Sequence, residues 1–298
     1  MNKGFCSGYI TLVGVPNAGK SSLVNALVKE TASIVTSKPQ TTRKRTLGIL
    51  TEPGAYQMIF VDTPGVIESN EGLNPFLKTE LSRALQDIDV IVCAIGPWEF
   101  KSNLKPWAIN LGQTLKEPIY VLTQTDLLKD PTTLEGLEHK FKTYFGTNPP
   151  PLLLTSSRSN RGIQELKSLI LEKLPEGPQY YDADVFTPQT MREVASEVIR
   201  KHCFEQLHQE LPYGLAVLIQ QYEEGPIIKI AADILVSRES HKPMVIGQGA
   251  SVLKQIGVRS RFDLERLTRQ KIFLELHVVV KQNWLNDKTY LEELGYGI

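Results

Sequence analysis

Residues 14–21 read GVPNAGKS, and how they are read decides how the first half of the chain folds. The octapeptide fits G-x-x-x-x-G-K-[S/T], a turn that presents backbone N–H groups to phosphate oxygens. That pattern is informative only in context. Here GYITLV (8–13) before it is strand-like, and SSLVNALVKE (21–30) after it has the apolar spacing of a helix. The start of that helix adds the positive end of its dipole to the same phosphates. In such a loop Gly14, Val15, Pro16, Asn17, Ala18 and Gly19 form the cradle. Lys20 neutralises the β and γ phosphates, Ser21 offers its hydroxyl to Mg²⁺, and Ser22 follows in the helix. A chance glycine turn is the bland alternative, and it does not account for the flanking strand and helix.

Working outward, strand-like and helical patterns alternate from residue 8 to about 175. YQMIFVDTPG (56–65), DVIVCAIG (89–96), PIYVLTQTD (118–126) and PLLLTSS (151–157) read as strands. LNPFLKTELSRALQ (73–86) and GIQELKSLILEKL (162–174) read as helices. This alternation predicts βαβ units in an α/β fold, a mainly parallel sheet flanked by helices. Pro175, Gly177 and Pro178 break the periodicity, and QYYDADVFTP (179–188) reads as a linker. Beyond it lie a helix (190–209), two strands (215–224 and 226–239), a glycine turn entering a helix (245–257), a second helix (259–270), a long strand (271–281) and a terminal helix. The expected division is 1–176, a linker at 177–189, and a smaller α+β domain at 190–298.

Downstream of the phosphate loop, Asp62-Thr63-Pro64-Gly65 ends a strand. A carboxylate there can hold a Mg²⁺-bound water, and the Gly65 N–H can meet a γ-phosphate. Between the two motifs lies KPQTTRKR (38–45), a basic segment with neither helix nor strand pattern. A threonine in it can complete Mg²⁺ coordination when a third phosphate is present, so that the loop orders with nucleotide state.

The 298 residues are 41% hydrophobic and 22% charged, as in a globular protein with a sizeable core. Lys and Arg number 33 and Asp and Glu 33, so a polyanion partner must be met by a local patch. Cys6, Cys93 and Cys203 lie far apart and give no disulfide framework, which points to a reducing, cytoplasmic setting. No apolar run approaches the roughly 20 residues of a bilayer span, and MNKGFCSGYITLVG has no signal-peptide core. The histidines show no metal-ligand spacing.

These motifs, in this order, resemble the translation-factor-related small GTPases, and the whole chain resembles the Era family within them. PNAGKSSLVNAL (16–27), PQTTR (39–43) and DTPG match nearly letter for letter. The likeness continues through ELPYGLAV (210–217), ESHKPMVIG (239–247), IGVRSRFDLERL (256–267) and KIFLELHVVVKQNWLND (271–287), and so spans residues 8 to 296. It implies a P-loop GTPase domain joined to a type II KH domain. It implies binding of GTP and GDP, slow Mg²⁺-dependent hydrolysis, binding near the 3′ end of small-subunit 16S rRNA, and assistance in 30S assembly.

Residue by residue, the resemblance makes Lys20, Thr42, Asp62 and Gly65 the catalytic set, with Thr42 preferred over Thr41 as the switch threonine. Mg²⁺ would be held by Ser21, Thr42 and, through water, Asp62, while Asn17 would hold K⁺. Thr63 and Pro64 complete the second switch, and Ser156-Ser157-Arg158 lies beneath the base. Val66 stands where many GTPases place a water-orienting glutamine, so slow intrinsic turnover is expected. A monomer is expected, and peripheral contact with the inner face of the cell membrane stays open.

One segment departs from the pattern. Thr123-Gln124-Thr125-Asp126 stands where these GTPases carry Asn-Lys-x-Asp, the loop that reads guanine. Asp126 retains the acceptor for the ring N–H and exocyclic amine. The usual asparagine bonds the base and braces the loop, and Thr123 is long enough only for bracing. Gln124 is a shorter, neutral cover for the base plane. GTP binding with reduced affinity is expected.

Two other readings stay open on the residues: a P-loop ATPase or kinase with relaxed base specificity, and a nonhydrolysing, nucleotide-responsive RNA scaffold.

In the second half, Ile246 precedes Gly247-Gln248-Gly249-Ala250, an imperfect form of the Gly-x-x-Gly that brings a KH backbone close to single-stranded RNA. Between 254 and 271, Lys254, Arg259, Arg261, Arg266, Arg269 and Lys271 outnumber Asp263 and Glu265. Of these, Lys254, Arg259 and Arg261 are the expected phosphate contacts. A solvated helix face is the plain alternative. Leu253 and Ile256 are expected in the core, and Phe262 and Trp284 are read as packing residues.

Overall fold

The computed structural model describes residues 4–36, 38, 42–65, 79, 81–85, 88–100, 117–282 and 284–294. The chain divides into two compact units, one built mainly from residues before 189 and the other from 189 onward.

In the first unit, β1 (Cys6–Val13) runs into the phosphate loop and α1 (Lys20–Val28) leaves it. The sheet continues with β2 (Thr46–Glu52), β3 (Tyr56–Asp62), β4 (Val90–Ile95), β5 (Ile119–Leu122) and β6 (Leu152–Leu154), in the order β2-β3-β1-β4-β5-β6. Every pairing is parallel except that of β2 with β3. All of β3 and β4 is buried, which is why those runs, Gln57 and Asp62 apart, are apolar rather than alternating. Their side chains still alternate between two cores. Val90 and Val92 join Leu12, Leu23, Phe60 and Ile170 on one face. Ile91, Cys93 and Ile95 join Val13, Leu122 and Phe141 on the other. Two further helices are α2 (Pro131–Phe145) and α3 (Ile163–Lys173). The first is started by Asp130, whose side chain accepts from the Thr132 N–H at 3.0 Å.

The edge strand β2 was not legible, because TLGILTE is short and broken by Gly48. A Cβ on Gly48 would stand 2.8 Å from a Val24 methyl, so the glycine lets β2 lie close to α1. Of the helix expected over 73–86, residues 81–84 are helical and most of the rest lies outside the described residues, as does the stretch 101–116.

The segment read as a linker is hydrogen-bonded along β1, β3 and β2. The Pro178 carbonyl accepts from the Ser7 hydroxyl at 2.6 Å, and the Phe186 carbonyl accepts from Ile49 N–H at 2.8 Å. Between them Gln57, fully buried, accepts from the Tyr180 and Tyr181 N–H groups and donates to the Tyr181 carbonyl. Such backbone bonding leaves no trace in hydropathy.

The second unit opens with α4 (Met191–Gln206), whose start is fixed by a reciprocal Thr190–Glu193 capping box. Strands β7 (Leu215–Glu223), β8 (Ile227–Val236) and β9 (Lys271–Val280) form a sheet in that order. The β7–β8 pair is antiparallel and the β8–β9 pair parallel. A parallel pair requires a crossover, which α5 (His241–Ile246) and α6 (Ser251–Thr268) supply. Ile228, Ile230, Ile234, Ile272 and Val278 pack with Val198, Ile199, Ile256 and Leu264 in one core. A final helix, α7, covers Lys288–Glu293.

Two expectations are corrected. The segment 239–247, for which no helix was expected, contains α5. The helices read separately at 251–257 and 259–270 are the single α6. Ile256, Ser260 and Leu264 keep one buried stripe across Gly257, so the glycine does not end the helix. Trp284 is fully buried, as read, and its Nε1–H donates to the Gly214 carbonyl at 3.2 Å.

Candidate functional site

The C-terminal ends of β1, β3, β4 and β5 bring the sequence motifs together at one edge of the sheet, where ligands of such sheets sit. Gly14 crosses β4 so closely that a Cβ would lie 2.5 Å from the Ala94 carbonyl oxygen. Asn17 (φ 64°) and Gly19 (φ 81°) both take left-handed conformations that turn the loop into α1. Lys20 is buried, and its Nζ donates to the Gly14 and Val15 carbonyls at 3.0 Å each. Burial pulls its pKa down to about 8, against the opposing pull of the Asp62 and Glu99 carboxylates. An incoming phosphate would add a direct counter-charge to an ammonium that here donates to carbonyls.

Ser21 Oγ donates to Asp62 Oδ2 at 2.6 Å and lies 3.0 Å from Thr42 Oγ1, which is 3.4 Å from the same carboxylate oxygen. Asp62 is fully buried, burial raises its pKa, and its Oδ1 has no hydrogen-bond partner among the described residues. Two hydroxyls and a carboxylate, with one carboxylate oxygen still unpaired, form a hard oxygen set that fits Mg²⁺. Next to it, Thr63 donates to the Leu12 carbonyl at 2.6 Å and anchors the turn through Pro64. A Cβ on Gly65 would stand 2.5 Å from Pro16 N, so only glycine lets this turn meet the phosphate loop. Thr41 and Val66 lie outside the described residues.

The base loop packs on the phosphate loop. Thr123, buried, donates from its hydroxyl to the Ala18 carbonyl at 2.7 Å. Gln124, at φ 53°, donates from Nε2 to the Asn17 carbonyl at 3.0 Å. Asp126 Oδ1 accepts from Ser156 Oγ at 2.6 Å, and Ser156 Oγ also accepts from the Ser159 N–H. A cleft of about 200 Å³ is lined here by Gly19, Ser22, Thr123, Gln124, Asp126, Leu127, Ser157 and Arg158.

Two residues were missed in the sequence. Leu127 is 59% exposed on the cleft wall, an apolar surface whose only signal was its place after Asp126. Glu99, on the short 3₁₀ turn Pro97–Phe100, accepts from the Gly96 N–H at 2.6 Å. Burial pushes its pKa up to about 7. It falls just after an apolar strand, in a segment with no motif.

In the second unit, Ile246 ends α5 and packs on the core, followed by Gly247 (φ 73°), exposed Gln248, Gly249 (φ 58°) and Ala250 (φ 60°). Ala250 therefore takes the left-handed backbone for which a glycine at the fourth position of the loop would be suited, a strain of roughly 1–2 kcal/mol. Lys254, Arg259 and Arg261 are exposed. Lys254 sits in the first turn beside the loop, and the two arginines lie farther along α6. Ile256 is fully buried and Leu253 packs against the core. Phe262 corrects its reading as a packing residue: it is 65% exposed, because the core face of α6 runs through Ser260 and Leu264 instead.

The loop Gly14–Ser21, the turn Asp62–Gly65 and the loop Thr123–Asp126 at the edge of such a sheet, in a chain that also carries a KH unit, define a P-loop GTPase carrying a KH domain. Residues 9–124 match the family described as 50S ribosome-binding GTPase, and residues 210–285 match the KH domain. GTPase Era of Clostridium botulinum (strain Hall) is 36% identical over 295 residues, 98% of each chain. GTPase Era of Geobacter metallireducens is 33% identical over 296 residues, again 98% of each. Among solved structures, Era in complex with MgGDPNP and nucleotides 1506–1542 of 16S ribosomal RNA superposes with a TM-score of 0.90 at 30% identity, covering 99% of this chain and 100% of the other. A variant Era of Aquifex aeolicus bound to GDP and AlF₄⁻ gives the same TM-score and identity over 98% of this chain and 100% of its own. The chain belongs to the Era family of GTPases.

Proposed function

We propose that this protein is a GTP-binding and GTP-hydrolysing switch that binds 16S rRNA near its 3′ end and assists 30S assembly. The observation that carries the nucleotide part is the convergence of Ser21, Thr42 and Asp62 beside buried Lys20 at the phosphate loop. The relatives of known structure, one with a GTP analogue and 16S rRNA and one with GDP and AlF₄⁻, support the rest.

In this reading Lys20 binds the β and γ phosphates, and Gly65 directs its N–H at the γ-phosphate. Ser21, Thr42 and Asp62 hold Mg²⁺, which supplies charge neutralisation between those phosphates. Asp126 reads the base, with Ser156-Ser157-Arg158 behind it. Residues 1–176 form the nucleotide-binding body, 177–189 the connecting segment and 190–298 the RNA-binding body. Three buried free cysteines suit a reducing cytoplasm. No helix among the described residues is long and apolar enough to cross a membrane, and peripheral attachment to the inner membrane face rests on family resemblance alone.

Multiple-turnover phosphate release tests hydrolysis: a steady release above the first equivalent of GTP is expected, and its absence leaves only a nucleotide-responsive scaffold. Asn17 gives this test a second arm. In this reading Asn17, exposed on the phosphate loop, holds K⁺ where other GTPases receive an arginine finger, an assignment that rests on family resemblance. Turnover is expected to be several-fold faster in K⁺ than in Na⁺, and equal rates contradict that role.

For the RNA, co-sedimentation with separated subunits in the presence of a GTP analogue is expected to follow 30S; association with 50S alone opposes the 16S reading. Charge reversal at Lys254 and Arg259 is expected to weaken single-stranded RNA binding and to lower the slope of log affinity against log salt by about 0.7 for each phosphate no longer neutralised. An unchanged slope removes these residues from the interface.

A further inference from the structure

The hydrogen-bond donors of the base loop decide which part of a nucleobase this protein can sense. Thr123 has two donors, its backbone N–H and its hydroxyl. The N–H donates to the Ile95 carbonyl at 3.0 Å, and the hydroxyl to the Ala18 carbonyl at 2.7 Å, with the Ile95 carbonyl also 3.2 Å away. The residue is 3% exposed, and a Cβ on Gly19 would come within 3.4 Å of its hydroxyl oxygen. An asparagine amide has two hydrogens and can brace the loop with one while offering the other to a base. A threonine hydroxyl has one, and here it is committed to the brace. Gln124, which also lines the cleft, gives one amide hydrogen to the Asn17 carbonyl.

At the other end of the cleft, Asp126 has given one carboxylate oxygen to Ser156. Its Oδ2 makes no hydrogen bond among the described residues, and Asp126 lines the cleft with Leu127 and Gly19. An acceptor at that end selects a base edge with adjacent donors. The N1–H and 2-amino groups of guanine form such an edge, and adenine has none. With that edge on Asp126 and the phosphates on Lys20, the imidazole ring of the purine falls toward Thr123.

We propose that this protein reads guanine from its Watson–Crick edge alone and is blind to N7, because residue 123 has no donor left to give. This rests on the GTP reading above and sharpens it: the ligands accepted are guanine nucleotides with or without a nitrogen at position 7. Absence of an N7 bond also places the weakened affinity expected from the sequence in one defined interaction.

The test compares equilibrium affinities of the full-length protein for GTP, 7-deaza-GTP and ITP in Mg²⁺ and K⁺. GTP and 7-deaza-GTP are expected to bind within about twofold of each other, whereas ITP, lacking the 2-amino group, is expected to bind at least about tenfold more weakly. Thr123→Asn supplies a second measurement: it should tighten GTP several-fold while leaving 7-deaza-GTP unchanged, creating the N7 dependence that the native chain lacks. If 7-deaza-GTP binds five or more times more weakly than GTP to the native protein, N7 blindness is overturned while GTP binding stands. If ITP equals GTP, the assignment of the Watson–Crick edge to Asp126 is overturned. If GTP itself does not bind, the underlying reading falls and this inference with it.

Discussion

Replacing Lys20 with methionine is expected to weaken GTP binding by about 10²- to 10⁴-fold while circular dichroism shows the fold intact. The two halves of that result have separate causes. Lys20 is 5% exposed, and an unbranched methionine of similar length can occupy the space of its buried stem. Loss of the ammonium removes its hydrogen bonds to the Gly14 and Val15 carbonyls, about 1 kcal/mol each, which a unit with its own buried core can absorb. Against phosphates the balance reverses, because charge-assisted hydrogen bonds to two phosphates contribute about 1.5–3 kcal/mol each. Titration with a fluorescent GTP analogue reads the change. Affinity within about threefold of the parent would mean that the phosphates lie elsewhere.

The second large effect is expected from Asp126→Asn, which should weaken GTP by about 10²-fold or more and make XTP the preferred triphosphate. Ser156 decides the outcome. Its hydroxyl donates to Asp126 Oδ1 at 2.6 Å, so an asparagine at 126 turns its oxygen to Ser156 and its NH₂ into the cleft. The acceptor for two guanine donors then becomes a donor facing donors, at about 1–3 kcal/mol for each broken bond. Xanthine carries a carbonyl where guanine has its amine, so the same NH₂ meets an acceptor. Competition between GTP and XTP on the variant measures this, and continued preference for GTP would remove Asp126 from base recognition. Asp126→Asn combined with Ser156→Ala, which frees the amide to flip, should blunt the switch.

Legibility in the sequence followed the strength of local patterning. GVPNAGKS stood between a strand and a helix, so sheet class, loop and lysine were readable together. Two-sided burial left β4 as a plain apolar run and β3 as a largely apolar one, both easily seen, but β2 lies at the edge with a glycine near its centre and offered no period. Gly257 looked like a helix break because a glycine in isolation weakens a helix; the stripe Ile256, Ser260, Leu264 overrides it. Phe262 was misplaced by the same uncertainty of phase, since two helices read separately carry no common buried face. Within the candidate site, charge and motif singled out Lys20, Asp62 and Asp126, but the meeting of distant segments did not show. The hydroxyl of Thr123 reaching Ala18, and Ser21 meeting Thr42 and Asp62, arise only when β1, β3 and β5 end at one edge. Glu99 had no motif and became visible only through its burial.

The measurement that bears most directly on a guanine-reading switch is displacement of labelled GTP from the native protein in Mg²⁺ and K⁺. Unlabelled GDP at equal concentration is expected to displace the label, and ATP and XTP to leave it bound, because neither presents the adjacent ring N–H and amine that Asp126 accepts. Displacement by ATP as readily as by GDP would contradict the assignment and return the chain to the P-loop ATPases.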